Sequence, residues 1–236
     1  MSNSYFQFKQ FRVNQEKSAM KVCTDSCIFG AFARYENPTR ILDIGTGSGL
    51  LSLMLAQKYP CAIDAVEIDN NSARQALENF QNSPWKGQIA LHHDSIQRFK
   101  EKNVYKYDLI VSNPPFFSNH LKSPDSKRNM ALHNDELSFQ ELAEIASGLL
   151  SENGLLYILL PAYESELLNE EALKNSLYPT NKLWIYNTET KPVFRVITAY
   201  SATNAPCLED TLIIKDSSGN YSEDFKELLN DYYLHL

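Results

Sequence analysis

The chain has few cysteines, and none is placed for metal or redox work. Cys23, Cys27, Cys61 and Cys207 include no C-x-x-C pair, and neither His92 and His93 nor any other histidine supplies ligand spacing beside them. Reduced thiols and no metal are therefore expected. No run approaches the roughly 18 apolar residues of a membrane span, and the opening M-S-N-S-Y-F-Q-F-K has no basic segment leading into an apolar one. These absences predict a cytoplasmic protein that makes no use of a membrane. Gly/Ser linkers, internal repeats and low-complexity tracts are missing too.

An overall basic excess is also lacking. Net charge is -7, which argues against a protein that coats nucleic acid indiscriminately. The distribution is uneven, however. Residues 1–40 carry six Lys/Arg against three acids, and residues 117–134 carry three against one, whereas residues 135–236 carry six against seventeen. A local basic face is therefore available from Lys9, Arg12, Lys17, Lys21 and Arg34 with Lys122, Lys127 and Arg128; ordinary solvated surface charge is the competing explanation for each.

What is present is a rhythm. From Arg40 onward, strand-like apolar runs (R-I-L-D-I, A-I-D-A-V-E-I, Q-I-A-L-H-H, Y-D-L-I-V, G-L-L-Y-I-L-L) alternate with helix-like stretches. Near-continuous apolar strands separated by helices predict an α/β fold: a doubly wound, mostly parallel Rossmann-like sheet of seven strands, with T-L-I-I-K available as one more edge strand. Residues 1–39 read as a cap on a catalytic domain covering 40–236.

Two stretches carry chemistry. In I-L-D-I-G-T-G-S-G-L-L-S-L, residues 41–53, Gly45, Gly47 and Gly49 sit between a strand and a helix, where they permit positive φ and close backbone approach to a ligand. Asp43 precedes them, Glu67 and Asp69 follow at the end of the next strand, and Asp94 ends the one after. In a doubly wound sheet those strand ends share the carboxyl edge, where ligands bind. Acids on that rim would repel a pyrophosphate but suit a nucleoside bearing positive charge, so S-adenosylmethionine is favoured over a dinucleotide. For Asp69 a second reading stays open, that it caps the helix starting N-N-S-A-R-Q-A.

The other stretch is S-N-P-P-F-F, residues 112–117. Consecutive prolines end a strand and stiffen the chain behind Asn113. An exocyclic amine conjugated to a ring is a poor nucleophile because its lone pair is delocalised. The Asn113 side-chain oxygen and the Pro114 carbonyl can accept its two N–H bonds and turn the lone pair toward a donor methyl, while Pro115 keeps the backbone rigid and Phe116 stacks on the ring. A plain strand-to-loop turn is the alternative for N-P-P-F alone.

D-I-G-T-G-S-G with S-N-P-P-F resembles class I S-adenosylmethionine-dependent methyltransferases acting on planar amines: adenine N6, cytosine N4, guanine N2 or a glutamine amide. The N-terminal F-Q-F-K-Q-F-R-V-N-Q-E-K-S-A-M-K-V-C-T-D-S-C-I-F-G-A-F, N-S-P-W at 82–85, L-P at 160–161 and Y-S-E-D-F-K-E-L-L-N-D-Y-Y-L are similar to the bacterial tRNA adenine N6-methyltransferase family, over nearly the whole chain. That resemblance implies tRNA as partner, with no obligate protein partner. It also implies that Asp43, Gly45, Gly47 and Gly49 line the methionine end of the cofactor, Glu67 holds the ribose and Asp94 binds the adenine amine. Asn113, Pro114 and Phe116 would receive the target base, and Lys21, Thr24 and Asp25 would close the site from the cap. Many family members have tyrosine where this chain has Phe116. The same acceptor pair also suits a protein glutamine amide, or bases in rRNA or DNA.

Overall fold

The five-residue run R-I-L-D-I forms a strand buried on both faces, as its apolar continuity requires. It is the centre around which the rest is arranged. The computed structural model describes residues 3–18, 20–115 and 137–236. In chain order the elements are β1 (Tyr5–Gln7), β2 (Arg12–Asn14), α1 (Thr24–Phe32), β3 (Arg40–Ile44), α2 (Leu50–Lys58), β4 (Ala62–Glu67), α3 (Asn70–Gln81), β5 (Ile89–His93), α4 (Ile96–Lys102) and β6 (Tyr107–Ser112). The second half supplies α5 (Phe139–Leu149), β7 (Leu150–Leu160), α6 (Ala162–Lys174), β8 (Tyr178–Tyr186), β9 (Val193–Ser201), β10 (Leu208–Ile213) and α7 (Glu223–Leu229).

Eight of these strands form one sheet in the order β10-β8-β9-β7-β6-β3-β4-β5, in which only β9 runs against its neighbours. The count is the expected seven plus the edge strand: T-L-I of T-L-I-I-K lies in β10, at the outer margin. After β3 the chain winds outward through β4 and β5, then returns to place β6 on the other side of β3. The strand order therefore reverses between β3 and β6, which makes their carboxyl ends the crevice of the sheet.

Alternation along the strands divides the core in two. Ile41, Leu109, Val111, Tyr157, Leu159 and Ile197 face α1, α2 and α7, while Leu42, Ile44, Ile110, Leu156 and Ile158 face α4, α5 and α6. α2 is apolar nearly all round because it is sandwiched between the sheet and α1. The contact is close at Gly30, where an added Cβ would stand 2.6 Å from the Met54 sulfur.

The N-terminal segment folds as an antiparallel β1–β2 hairpin that does not join the main sheet. Phe8 and Phe11 stack with centroids 4.5 Å apart and anchor it in the same core as α7 and Tyr233. Farther along, Asn79 of α3 clamps this segment to the glycine turn. Its Nδ2 donates to the carbonyls of Asn14 and Ser48, both at 2.8 Å, and its Oδ1 accepts from the Asn14 amide at 2.9 Å. Gln75, one turn earlier, accepts from the Lys17 amide at 3.1 Å.

Candidate active site at the switch point

β3 delivers Asp43 to the crevice fully buried. Its Oδ2 accepts from Thr46 Oγ1 at 2.6 Å, Ser52 Oγ at 2.7 Å and the Ser52 amide at 3.2 Å, whereas Oδ1 has no hydrogen-bond partner among the described residues. Burial drives the carboxyl pKa up to about 6; the Thr46 and Ser52 bonds pull it down and the nearby Glu67 charge adds to the rise.

Immediately after β3, Gly45, Gly47 and Gly49 take φ of +72°, +59° and +87°. Gly49 is required twice over, by its left-handed backbone and by Phe80, whose ring would lie 2.4 Å from an added Cβ. At Gly45 and Gly47 the space a Cβ would fill is open. The turn is braced by Glu67, whose two oxygens accept from the amides of Gly47 and Asp69 at 2.8 Å each.

Asp69 accepts from the Ser72 amide at 2.8 Å and caps α3, so the capping reading of this residue is the one the structure supports. Asp94 lies past the end of β5, where its oxygens take the Ser95 amide and the Lys102 ammonium, each at 2.9 Å. The Lys102 bond holds its carboxyl below the usual range. A cavity of about 380 Å³ opens there, with His93, Phe99 and Lys102 in its wall, and among the rim acids it reaches Asp94 alone.

β6 ends beside β3, stitched to it by Ser112 Oγ donating to the Ile44 carbonyl at 2.8 Å. The next residue is Asn113. Its Nδ2 donates to Ser26 Oγ of α1 at 3.0 Å, and its Oδ1 is buried without a partner among the described residues. Pro114 is buried and Pro115 exposed. Phe116, Lys122, Lys127 and Arg128 lie outside the described residues.

The cap residues are placed less directly than the sequence predicts. Asp25 is buried, accepting from the Ser26 amide at 2.9 Å and from Arg195 Nε of β9 at 3.0 Å, so both its oxygens are engaged within the protein. Thr24 opens α1 and is half-buried, and Lys21 is exposed just before it. Lys9 donates to the Asn230 carbonyl, Arg12 to Gln7 Oε1 while lying over the Tyr5 ring, and Lys17 pairs with Glu78. Each of these three has its own contact within the protein.

Sequence reasoning passed over Ser26, Thr46, Ser52, Asn79 and Arg195. Two of them had a visible signal: a serine inside the apolar run L-L-S-L-M-L needs a buried partner, and Thr46 stands three residues past Asp43.

Two buried acceptor oxygens without partners among the described residues, one on a carboxylate, lie at the ends of the two switch-point strands, beside open backbone at Gly45 and Gly47. Such an acceptor set fits a ligand that brings positive charge and N–H groups, and repels a pyrophosphate. On this sheet, with this crevice, the chain is a Rossmann-like S-adenosylmethionine-dependent methyltransferase. The match to the methyltransferase small domain over residues 31–183 places it in that family, to which it belongs.

Among its relatives, proteins of Bacteroides fragilis and Cytophaga hutchinsonii are 41% and 44% identical, each alignment covering 100% of both chains; both carry the name tRNA1(Val) (adenine(37)-N6)-methyltransferase. Among solved structures, a predicted O-methyltransferase of Agrobacterium tumefaciens aligns with TM-score 0.67 at 15% identity, over 87% of this chain and 95% of that one. The ribosomal protein L11 methylase of Lactobacillus delbrueckii aligns with TM-score 0.58 at 19% identity, over 81% and 84%. These two likenesses establish the fold. Among the described residues, no group of three His, Cys, Asp or Glu side chains could hold a metal ion, and no helix is long and apolar enough to cross a membrane.

Proposed function

We propose that the chain transfers a methyl group from S-adenosylmethionine to the N6 amine of an adenosine in tRNA, the anticodon-loop adenosine 37 of tRNA(Val) named for its relatives, in the cytoplasm. The observation that carries this reading is the buried, unpartnered Oδ1 of Asn113 at the switch point, one strand from Asp43. An acceptor left open there is matched by a substrate that donates N–H bonds.

S-adenosylmethionine, when bound, supplies an electrophilic methyl on a sulfonium, with a neutral thioether as leaving group. Asp43 Oδ1 would hold the ammonium of its methionine end. Glu67 uses one lone pair on each oxygen to brace the turn and has the others for the ribose hydroxyls. Asp94, whose contact with Lys102 is exposed, would take the adenine amine. Asn113 Oδ1 and the Pro114 carbonyl accept the two N–H bonds of the target amine, which turns its lone pair out of ring conjugation and toward the methyl. Rigid acceptors need little reorganisation as the C–N bond forms and the S–C bond breaks. The product nitrogen then loses one proton to water, so no histidine or carboxylate base is needed. Phe116 is assigned the stacking role and Lys21 and Thr24 the closing role. Lys9, Arg12 and Lys17, with Lys122, Lys127 and Arg128, are assigned to the tRNA backbone.

The test is incubation of the enzyme with labelled methyl donor and unmodified total tRNA, followed by nucleoside analysis. N6-methyladenosine in a valine tRNA is expected. Label in protein, or in any other nucleoside, would overturn the assignment.

A further inference from the structure

The densest basic run in the chain is not in the cap but along α4. Residues 97–106 carry Arg98, Lys100, Lys102 and Lys106 against one acid, Glu101, in a protein whose net charge is -7. A polyanion approaching such a chain is attracted only where basic charge is concentrated. Two of these four are turned toward α5: Lys106 donates to the Gly148 carbonyl at 2.6 Å, and a Cβ added at Gly148 would meet the Lys100 ammonium at 3.3 Å. Arg98 and Lys102 are exposed, one turn apart on the same flank of α4.

Lys102 stands in the last turn of α4, where a lysine ordinarily turns to the final carbonyls of its helix. Its ammonium instead reaches back eight residues to Asp94 Oδ2 at 2.9 Å, with the lysine side chain 72% exposed. The other Asp94 oxygen takes the Ser95 amide, so the oxygen that Lys102 covers is the one an incoming amine would claim. Beside this pair lies the cavity of about 380 Å³, whose wall includes Lys102, Asp94 and Tyr105. The Tyr105 ring is 51% exposed and holds the Arg40 guanidinium 3.7 Å from its centroid. An exposed ammonium, a fixed exposed ring and a cavity between them suit a nucleotide, with phosphate on the cation and base on the ring. An exposed ion pair is weak, and a polyanion that releases counterions on binding can displace one.

We infer that this flank of α4 docks the tRNA backbone, and that Lys102 exchanges Asp94 for a phosphate and so releases Asp94 to the cofactor adenine. This deepens the tRNA and cofactor reading above and rests on it. The ends of β6 and β5 are three strand spacings apart, about 14 Å, so the RNA that reaches Arg98 and Lys102 lies beyond the target base. Arg98 adds a second phosphate contact, and Tyr105 stacks on a base outside the crevice. Lys102 also makes the two ligands help each other, since each favours the state in which the Lys102–Asp94 pair is parted.

The test measures affinity for S-adenosylhomocysteine with and without unmodified tRNA(Val), and affinity for the tRNA across a salt series. With saturating tRNA the wild type is expected to bind S-adenosylhomocysteine about two- to threefold tighter, the weight of one exposed ion pair. Lys102→Met is expected to show that gain without tRNA, to lose any response to tRNA, and to lower the slope of log affinity against log salt by about one. Arg98→Ala is expected to lower the slope by about one and keep the response, because Arg98 does not hold Asp94. Tyr105→Ala is expected to weaken tRNA about 10-fold at unchanged slope. An unchanged slope in both Arg98→Ala and Lys102→Met, or a response to tRNA that survives in Lys102→Met, would overturn the inference. An equal gain in S-adenosylhomocysteine affinity with polyglutamate in place of tRNA would assign the flank to an acidic protein and overturn it too. Failure of the methyl-transfer reading is seen separately, as label missing from the tRNA whatever these affinities are.

Discussion

The two halves of the crevice are built differently. On the cofactor side, Asp43 takes its bonds from residues three and nine positions away, and Glu67 braces Gly47 across twenty. On the acceptor side, Asn113 is held by Ser26 across 87 positions, and Asp25 by Arg195 across 170. The first half is thus a local turn between two adjacent strands. The second exists only when the cap, β6 and β9 have docked. Damage to one should therefore leave the other measurable, and damage to the cap should be felt as lost chemistry before it is felt as lost cofactor.

The sharpest separation is expected from Asn113→Ala. Removing an acceptor that acts on the attacking amine should lower kcat by about two to three orders of magnitude. Affinity for S-adenosylhomocysteine, measured by calorimetry, should stay within about twofold. A parallel loss of both would mean that the halves are not independent.

Gly49→Ala should fail in the opposite manner. The new Cβ meets Phe80 at 2.4 Å on a backbone at φ +87°, so the expected cost is about 2 to 4 kcal/mol of stability from strain and overpacking. Chemical denaturation would show it. Phe80 of α3 lies under the turn, so the cofactor side should loosen while the Ser26–Asn113 contact is untouched.

Asp43 allows the cofactor half to be titrated by itself. Burial lifts its pKa to about 6, above the ordinary 3.8, so between those values the native state binds more protons than the unfolded chain. The contribution of this group to stability is therefore present at low pH and diminishes as pH rises through that window. Binding of a cationic ligand runs the other way, because it needs the carboxylate. Affinity should fall roughly tenfold from pH 7 to pH 5, and Asp43→Asn should be weak at both and flat between them. A wild-type profile with no slope below pH 6 would remove Asp43 from cofactor binding.

How much of each half was legible in the sequence follows from the same difference. The glycine turn, Asp43, Glu67 and the strand rhythm are local patterns, and they led to the sheet, its switch point and the order of acids on the rim. Asp69 was ambiguous because a cap and a ligand acid look alike before a helix, and geometry decided for the cap. Ser26 and Arg195 were illegible because a T-D-S tripeptide and a strand arginine acquire partners only through packing of β9 and α1. For the basic residues the sequence shows only charge sign and place in the chain; the different neighbours of Lys9, Arg12 and Lys17 come from the folding of the cap.

Asn79 touches both constructions. It joins the Ser48 carbonyl of the glycine turn to both backbone groups of Asn14 in the cap, and it is buried, so no water replaces those bonds freely. Asn79→Asp keeps the shape and the acceptor but removes two donors and sets a carboxylate against two carbonyls. Amide exchange at residues 14 to 18 should quicken, and kcat and cofactor affinity should each fall by only about two- to threefold, together and not separately. A change in cofactor affinity alone would place the clamp wholly within the glycine turn. Loss of kcat alone would show that the cap reaches the chemistry only through α1, and that the stretch from Asn14 to Lys17 is a tether with no part in the site.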